Sequence, residues 1–426
     1  MKKVCVFALV LLLAGLAACG YAQPAQEPVE TKVQATFTPS PTATPSPTPG
    51  PTAEPTPVPV PYAREITAEI TLSDNYGGYF PYLTDGDPET WIAYKRGTYI
   101  NISCQEEIGF LYICWYRAPR PYIIHINGGG YSAGESEYLY EYYELPESAT
   151  EVQLSFSTTE NLSDIHVYGK GAVPDDIQRW SPPLEEADVL VFPTHADDET
   201  VFFGAAIASC LDRGLDVQVC YMCEHNTDLG YKWHTRTQEL LNALWALGMR
   251  NYPVLGPFRD EFVTTWKQAD KAFGFGNVIG YQVEQIRRFK PFVVLGHDMQ
   301  GEYGHAAHMM NSQALPYAVK YAADAKSYAA SARKWGVWDV PKLYLHLATE
   351  NRITLDVETP LESYGGRTAF EVACDAMECH QSQLQYEHRP MLYDKDYPYY
   401  DCTCFGLVRS LVGEDTGNDI MEHIEK

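Results

Sequence analysis

The chain is poor in basic residues: 31 Lys and Arg stand against 56 Asp and Glu, which gives the 426 residues a net charge of −25. Such a negative field repels phosphate backbones and anionic lipid surfaces, and it argues against a nucleic-acid partner. The N-terminal apolar run extends only from Val4 to Leu13, so it lacks the ~20 residues that a membrane-spanning helix needs. The length and the 45% hydrophobic content suit two or three domains with cores of their own.

The first residues have the pattern of a secretory signal, with a basic start, a short apolar run and small residues before Cys19. Leu16-Ala17-Ala18-Cys19 resembles the bacterial lipoprotein signal, which implies a signal peptide at residues 1–18 and a lipid on Cys19. We therefore expect a protein on the extracellular face of the bacterial cell membrane, held there by its lipid anchor alone.

Proline is concentrated in one segment, since twelve of the 29 prolines lie between Pro24 and Pro61. Proline fixes φ and removes a backbone donor, so Pro/Thr-rich sequence favours extended polyproline II rather than a packed fold. We expect residues 19–62 to be the anchor and a linker.

Residues 63–172 contain short β-type runs separated by turns, which predicts an all-β sandwich. The segment from Leu83 to Trp91, with the closing run from Ile165 to Gly169, resembles the discoidin or galactose-binding-like jelly rolls. Glycan binding by this domain is a further expectation, since four tyrosines are candidates to stack on sugar rings, although such tyrosines more often pack a β face; a Ca²⁺ ion in this domain is also allowed. The four are Tyr138, Tyr140, Tyr142 and Tyr143.

Gly130-Tyr131-Ser132-Ala133-Gly134 has the G-x-S-x-G pattern of serine hydrolases. That motif needs a strand before it, a helix after it and a separate oxyanion loop. We interpret the segment as a turn between strands and keep a serine esterase centred on Ser132 as a third hypothesis.

Cysteine provides no clear disulfide framework, because nine residues remain once Cys5 and Cys19 are set aside. Cys104 and Cys114 are candidates for a bridge between neighbouring strands.

From residue 184 to residue 412 the pattern changes to alternating strands and helices. Strands are predicted at 189–192, 216–220, 252–255 and 291–295, with helices at 199–213, 235–247 and 278–288. This order predicts an α/β domain with a Rossmann-like parallel sheet covered by helices on both faces. In such sheets the chemistry lies at the carboxyl ends of the strands. Residues 413–426 are expected to be a polar, frayed tail.

Histidine and carboxylate residues cluster after two of these strands. His195 and Asp198 follow the first strand, and His305 and His308, with the same spacing, follow the fourth. Zinc binds three such protein ligands and keeps an open position. The pattern therefore predicts a metal site with groups to spare for proton transfer.

Those residues carry a family resemblance. His195-Ala196-Asp197-Asp198-Glu199 resembles the signature of the LmbE-like/PIG-L family of zinc-dependent N-acetylglucosamine deacetylases, and the run from Tyr303 to His308 is similar to its second motif. Further similarities lie at three places along the chain: Arg236 with Glu239, Arg259 with Asp260, and the run from His380 to Gln383.

The resemblance implies a role for each matching residue. His195, Asp198 and His308 would hold Zn²⁺ or another divalent metal. Asp197 would be the general base, and His305 would stabilise the oxyanion or protonate the leaving amine. The sugar would be held by Arg236, Asp260 and Tyr303.

The chain departs from the family at Ala306 and Ala307, where Pro-Asp is common. Asp298 is a candidate to replace that lost carboxylate beside the histidines. We expect a surface-anchored enzyme that removes N-acetyl groups from N-acetylglucosamine-containing glycans or glycoconjugates. The alternative is a surface glycan-binding protein whose deacetylase domain no longer turns over.

Overall fold

The computed structural model describes residues 60–73, 80–224, 233–386 and 389–425. The predicted signal peptide, the Cys19 anchor and nearly all of the linker lie outside the described residues. Within these ranges, no helix has both the length and the apolar character needed to cross a bilayer.

The N-terminal part of the described chain is an antiparallel sheet of seven strands. In chain order they are β1 (Ala68–Leu72), β2 (Ile92–Tyr94), β3 (Tyr99–Trp115), β4 (Tyr122–Ile126), β5 (Gly129–Ala133), β6 (Tyr140–Ser155) and β7 (Glu160–Tyr168). Their order in the sheet is β2-β7-β3-β6-β4-β5, and β1 pairs with β3 as well. The predicted β-strands are present, they pair antiparallel, and the hydrogen bonds join all seven of them into one sheet. The jelly-roll and discoidin resemblance stays a prediction.

Two predictions for this region were wrong. Cys104 and Cys114 lie on the same strand, β3, so at ~3.4 Å per residue they are about 30 Å apart along it and cannot form a disulfide. The predicted turn at Ser132 is strand β5, where the Ser132 hydroxyl donates to Glu135 at 2.6 Å. A strand there is not the strand-turn-helix elbow of a serine hydrolase, so the structure does not support the esterase hypothesis.

Three of the four tyrosines predicted to stack on sugars have aromatic partners within the fold. Tyr138 stacks on Tyr252 with a centroid distance of 4.3 Å, the buried Tyr140 stacks on Tyr112 at 5.9 Å, and Tyr142 packs on Phe110 at 5.0 Å. These contacts occupy part of each ring surface within the fold. Carbohydrate binding by the β region therefore stays a prediction, with weaker support from these three rings.

The rest of the chain alternates strands and helices. The strands are β8 (Val189–Phe192), β9 (Val217–Val219), β10 (Cys223–Glu224), β11 (Phe258–Arg259), β12 (Val293–Gly296), β13 (Lys342–His346), β14 (Arg352–Thr354) and β15 (Cys404–Ser410). The helices are α1 (Asp198–Val201), α2 (Gly204–Asp212), α3 (Trp233–Ala246), α4 (Trp266–Phe273), α5 (Phe275–Phe289), α6 (Ala306–Ala322), α7 (Ala329–Trp335) and α8 (Ala369–Met377).

Six of these strands form the second large sheet, in the order β14-β15-β13-β12-β8-β9. β9, β8, β12 and β13 are parallel, whereas β15 runs antiparallel to β13 and β14 antiparallel to β15. Every residue of β8 and β12 is buried, as expected for parallel strands covered on both faces. The parallel strands that we predicted at 189–192, 216–220 and 291–295 are present.

Two details of this prediction were wrong. Residues 252–255 form only isolated bridges, such as Val254 to Cys220, because Pro253 has no N–H to continue a ladder. The predicted helix at 199–213 is divided into α1 and α2 at Phe202 and Phe203, whose rings pack against His297.

The C-terminal segment, which we predicted to be a frayed tail, is packed against β13. Lys342 and Asp415 form an ion pair of 2.5 Å with both side chains fully buried, and Tyr344 donates to the second Asp415 oxygen. Ile420 and Met421 are buried in the core. The buried ammonium group of Lys342 in the sheet fixes this segment through Asp415, because a buried charge must be paired.

We predict that Asp415→Asn lowers the free energy of unfolding by about 3–5 kcal/mol, because it leaves Lys342 buried without a charged partner. Urea unfolding of the full chain measures the loss. Glu425→Gln, in the exposed end of the same segment, is the matched control and should change little. A loss below about 1 kcal/mol for Asp415→Asn would show that the ion pair is exposed in solution.

Candidate active site and metal centre

The register of the parallel strands places the polar loops side by side. Phe192, the last residue of β8, is opposite Gly296, the last residue of β12, and Gly296 is in turn paired with Leu345 of β13. The carboxyl ends of parallel strands lie at one edge of the sheet, so the loops that follow β8 and β12 meet there with His346, the last residue of β13.

Ligand atoms of three residues converge at this edge, with both oxygens of Asp198 taking part. The distances are 3.2 Å from His195 Nδ1 to His308 Nε2, 3.4 Å from His195 Nδ1 to Asp198 Oδ2, and 3.3 Å from His308 Nε2 to Asp198 Oδ1. A tetrahedral zinc ion with bonds of about 2.0–2.1 Å separates its ligand atoms by roughly 3.4 Å. The three predicted ligands therefore fit zinc in both chemistry and spacing.

The charges at this point favour a cation. Burial disfavours the carboxylate form of Asp198, but His308 and His297 outweigh it and hold the Asp198 pKa well below its usual range. Burial also opposes protonation of His308, yet Asp198 and Glu302 raise its pKa to about 10. A positive charge is thus stabilised where the three donor atoms meet. The backbone N–H groups of Thr194 and His195 fix Asp198 by donating to its Oδ2 at 3.0 and 2.7 Å.

Glu302 is the residue that orients these histidines, and the sequence analysis did not single it out. Its Oε2 contacts His308 Nδ1 at 2.8 Å, and its Oε1 contacts His297 Nδ1 at 3.0 Å and His346 Nδ1 at 3.1 Å. All four side chains are buried. Imidazoles that bind metals are commonly held through their other ring nitrogen by a carboxylate, and Glu302 is placed to do so for His308.

The interpretation of Asp298 as this second carboxylate was wrong. The Asp298 side chain accepts from the backbone N–H of Gln300, and its own backbone N–H donates to Glu302 at 2.9 Å. Glu302 follows in the same loop at φ 54°, a conformation that side-chain patterns do not reveal.

His305 precedes α6 and lies over the metal ligands, with ring centroids 4.8 Å from His195 and 4.4 Å from His308. Its Nδ1 is buried, and no group among the residues that the structure describes forms a hydrogen bond with it. Burial, with His195 and His308, lowers the His305 pKa to about 2. The first turn of α6 begins with Ala306 and Ala307, which are fully buried and have no carboxylate. These two residues therefore offer His305 no acidic partner.

Asp197 lies in the same cleft in a strained backbone conformation, with φ 107° at a non-glycine residue. Arg236 contacts its carboxylate at 3.3 Å and also donates to the Ala196 carbonyl. Burial raises the Asp197 pKa to about 6, although Arg236 opposes that shift.

The predicted sugar-binding residues surround this pair. Arg236 Nη1 lies 3.5 Å from Asp260 Oδ2, and Asp260 Oδ1 lies 3.6 Å from His195 Nε2. The Tyr303 ring lies on another side, 5.9 Å from the ring of His305 and 43% exposed. The structure brings every predicted site residue of the described chain together. Their roles stay predictions.

A buried pair behind Asp197 connects the site to the C-terminal part of the chain. Glu199 Oε2 accepts from the Asp197 backbone N–H at 2.9 Å, and its Oε1 lies 2.5 Å from His380 Nε2. Nearby, Ser382 donates twice to Glu239 of α3, at 2.7 Å from its backbone and 2.6 Å from its hydroxyl. The motif that runs from His380 thus holds the strained turn from behind, a role that sequence spacing did not indicate.

Comparison with known families agrees with this geometry. Residues 190–319 match the family model described as "PIG-L: GlcNAc-PI de-N-acetylase". Residues 190–319 form a PIG-L-family domain. All three predicted metal ligands, both predicted proton-transfer groups and the predicted sugar-binding residues lie inside it.

Curated relatives of the PIG-L domain are 1D-myo-inositol 2-acetamido-2-deoxy-alpha-D-glucopyranoside deacetylases. That of Nocardia farcinica is 29% identical over 191 residues, which is 40% of this chain and 60% of the relative. That of Rhodococcus opacus is 31% identical over 183 residues, 38% of this chain and 61% of the relative. The chain therefore spans about three fifths of the length of these relatives.

Among solved structures, N,N'-diacetylchitobiose deacetylase from Pyrococcus horikoshii is 18% identical, with a TM-score of 0.35 over 47% of this chain and 72% of that chain. A TM-score of this size carries no argument about function.

We predict that Glu302→Gln weakens zinc binding by the PIG-L domain about 10- to 100-fold. The neutral amide no longer places a negative charge beside the Nδ1 atoms of the histidines, and it orients their rings less firmly. Competition with a chelator measures the affinity in the full chain. Asp298→Asn is the matched control, since its carboxylate accepts from a backbone N–H instead of a histidine. Equal weakening by both variants would show that the general negative charge matters and the contacts of Glu302 do not.

We also predict strong coupling between Glu199 and His380. Each single alanine substitution leaves the other side chain buried without its oppositely charged partner, so the double variant should be more stable than the sum of the two losses implies, by about 1–3 kcal/mol. A double-mutant cycle by urea unfolding tests this. The exposed pair Glu378–Arg389, at 3.2 Å, is the control cycle and should show coupling below about 1 kcal/mol. Coupling no larger than in the control would contradict the buried contact.

Proposed function

We propose that this protein is a zinc-dependent hydrolase that removes N-acetyl groups from N-acetylglucosamine-containing glycans or glycoconjugates. The observation that carries the proposal is the convergence of donor atoms from His195, Asp198 and His308, in contacts of 3.2–3.4 Å that use both Asp198 oxygens, with the Asp197 carboxylate in the same cleft. The names of the curated relatives support the substrate class, since each describes removal of acetyl from a 2-acetamido-2-deoxy-glucopyranoside.

His195, Asp198 and His308 would hold the metal. When bound there, zinc would supply a Lewis acid that polarises a carbonyl and lowers the pKa of water. Asp197 would take the proton from the attacking water, because its carboxylate is next in sequence to a ligand and is held in the cleft by Arg236 at 3.3 Å. Glu199 supports this role by fixing the backbone of Asp197.

His305 would donate a hydrogen bond to the developing oxyanion, because burial and the neighbouring histidines lower its pKa to about 2 and keep the imidazole neutral. The proton that Asp197 takes from water would pass to the departing amine. The His305 ring lies over the ligands, and its buried Nδ1 has no hydrogen-bond partner among the described residues. Arg236 and Asp260 would hold sugar hydroxyls beside it, and Tyr303 would close the opposite side.

One observation favours the second candidate, a glycan-binding protein that no longer turns over. With Ala306 and Ala307 in the first turn of α6, no carboxylate on that turn orients His305. Glu302 contacts His308 instead. If His305 depends on such a carboxylate, turnover is slow while the metal ligands stay complete.

The proposal includes the location. Lipidation at Cys19, followed by the proline-rich linker, would hold the enzyme outside the cell, close to wall or capsular glycans. The β region would then orient the glycan. Residues 1–59, on which the anchor depends, lie outside the described chain.

We predict that the full chain, supplied with zinc, releases acetate from N-acetylglucosamine oligomers, and that Asp197→Asn reduces the rate about 10²–10⁴-fold. Asparagine is similar in size and accepts a positive φ, so loss of the carboxylate is the main change. Asp375→Asn on α8, whose carboxylate is 67% exposed, is the matched control and should retain the parental rate.

Zinc content measured on the same samples separates the alternatives. Stoichiometric zinc in both Asp197→Asn and its parent, with acetate from the parent only, would support the proposed chemistry. Stoichiometric zinc without acetate from either would favour the glycan-binding alternative, and absence of zinc would contradict the ligand assignment.

A further inference from the structure

We propose that a row of tyrosine rings beside the candidate site binds the sugars next to the one that is deacetylated. The row consists of Tyr303, Tyr399 and Tyr397. The substrate is then an uncharged oligosaccharide of N-acetylated sugars instead of a single sugar. This inference rests on the proposed function and extends it to the length and charge of the substrate.

The tyrosine row leads away from the catalytic residues without a gap. Tyr303 lies 6.0 Å from His308, Tyr399 lies 6.1 Å from Tyr303, and Tyr397 lies 6.2 Å from Tyr399, measured between ring centroids. Tyr303 is 43% and Tyr397 44% exposed, so rings are open to solvent at both ends of the row. The rings meet edge to face, at interplanar angles of 60°, 66° and 86°. A glycan chain that leaves His305 in this direction would therefore meet the exposed parts of Tyr303 and Tyr397.

The row is fixed to the same network that orients the metal ligands. The backbone carbonyl of Asp401 accepts from His346 Nε2 at 2.9 Å, and His346 Nδ1 contacts Glu302 at 3.1 Å. Between the row and this anchor, the buried Tyr400 packs on Tyr399 with a centroid distance of 4.8 Å. Rings held in place before binding lose little conformational entropy when a ligand arrives.

A further exposed ring lies close in sequence to the site. Phe262 is 92% exposed and stands two residues after Asp260, whose carboxylate is 3.6 Å from His195. Phe262 is therefore a second aromatic side chain next to a predicted sugar-binding residue.

The charge of the protein selects among polymers. The chain carries a net charge of −25, and the segment that leads to the row exposes Asp394 and Asp396, with Lys395 between them at 3.7 Å from Asp396. An anionic polymer is repelled by such a surface, whereas the apolar C–H faces of neutral sugars stack on tyrosine rings. The row therefore fits an uncharged glycan.

The test compares N-acetylglucosamine with its tetramer in the full chain, by acetate release and by calorimetric binding. We expect a higher kcat/KM and tighter binding for the tetramer. Tyr397→Ala should reduce the tetramer-to-monomer ratio of both quantities about five- to tenfold, the loss of one ring-stacking contact. Tyr397→Phe keeps the ring and should keep the parental ratio. Tyr317→Ala, on α6 with 49% exposure, is the control for loss of a surface tyrosine.

The two readouts separate this inference from the proposed function. Acetate released equally well from monomer and tetramer would overturn the tyrosine row and leave the deacetylase intact. Tighter tetramer binding that Tyr397→Ala weakens, without acetate from any substrate, would support the row and contradict the deacetylase. Equal effects of Tyr397→Ala and Tyr317→Ala would also overturn the row.

Discussion

A single buried carboxylate holds the candidate site together. Glu302 contacts His297 after β12, His346 at the end of β13 and His308 on α6, so one side chain joins two neighbouring strands to the helix that covers them. Burial disfavours the charged form of Glu302, but the surrounding histidines outweigh burial and hold its pKa well below the usual range. Of the predicted metal ligands, His308 contacts this charge directly through its Nδ1. His297, which Glu302 also contacts, lies 3.3 Å from the predicted ligand Asp198.

The site is also assembled from distant parts of the chain. His380, beyond α8, contacts Glu199 in α1, and Ser382 binds Glu239 on α3. Residues 190–319, which match the PIG-L family, contain the proposed metal ligands, proton-transfer groups and sugar-binding residues. The segment that follows them supports the strained turn at Asp197 and carries Tyr397 and Tyr399 of the tyrosine row. The proposed site is thus completed by residues from outside the matched domain.

The proposed metal ligands and proton-transfer residues were easier to predict from the sequence than the residues that hold them in place. His195, Asp198, His305 and His308 follow strand ends in short motifs, and a parallel sheet brings strand ends together. Glu302 and His346 act through contacts to Nδ1 atoms that no spacing encodes. The third strand was wrong because Pro253 interrupts its ladder, and the frayed tail was wrong because its partner, Lys342, is far away in sequence. Local pattern predicted local structure, whereas pairing over long distances required the fold.

The backbone at Asp197 limits which amino acids the site tolerates. A residue at φ 107° is strained by on the order of 1–3 kcal/mol, and β-branched side chains are the least compatible with it. Glycine relieves that strain but removes the carboxylate, and asparagine keeps the shape but loses the charge. Few substitutions of Asp197 therefore leave both the stability and the proposed activity unchanged. Asp197→Gly would relieve the backbone strain and remove the carboxylate, so a screen of this chain for stability alone would favour variants without the proposed general base.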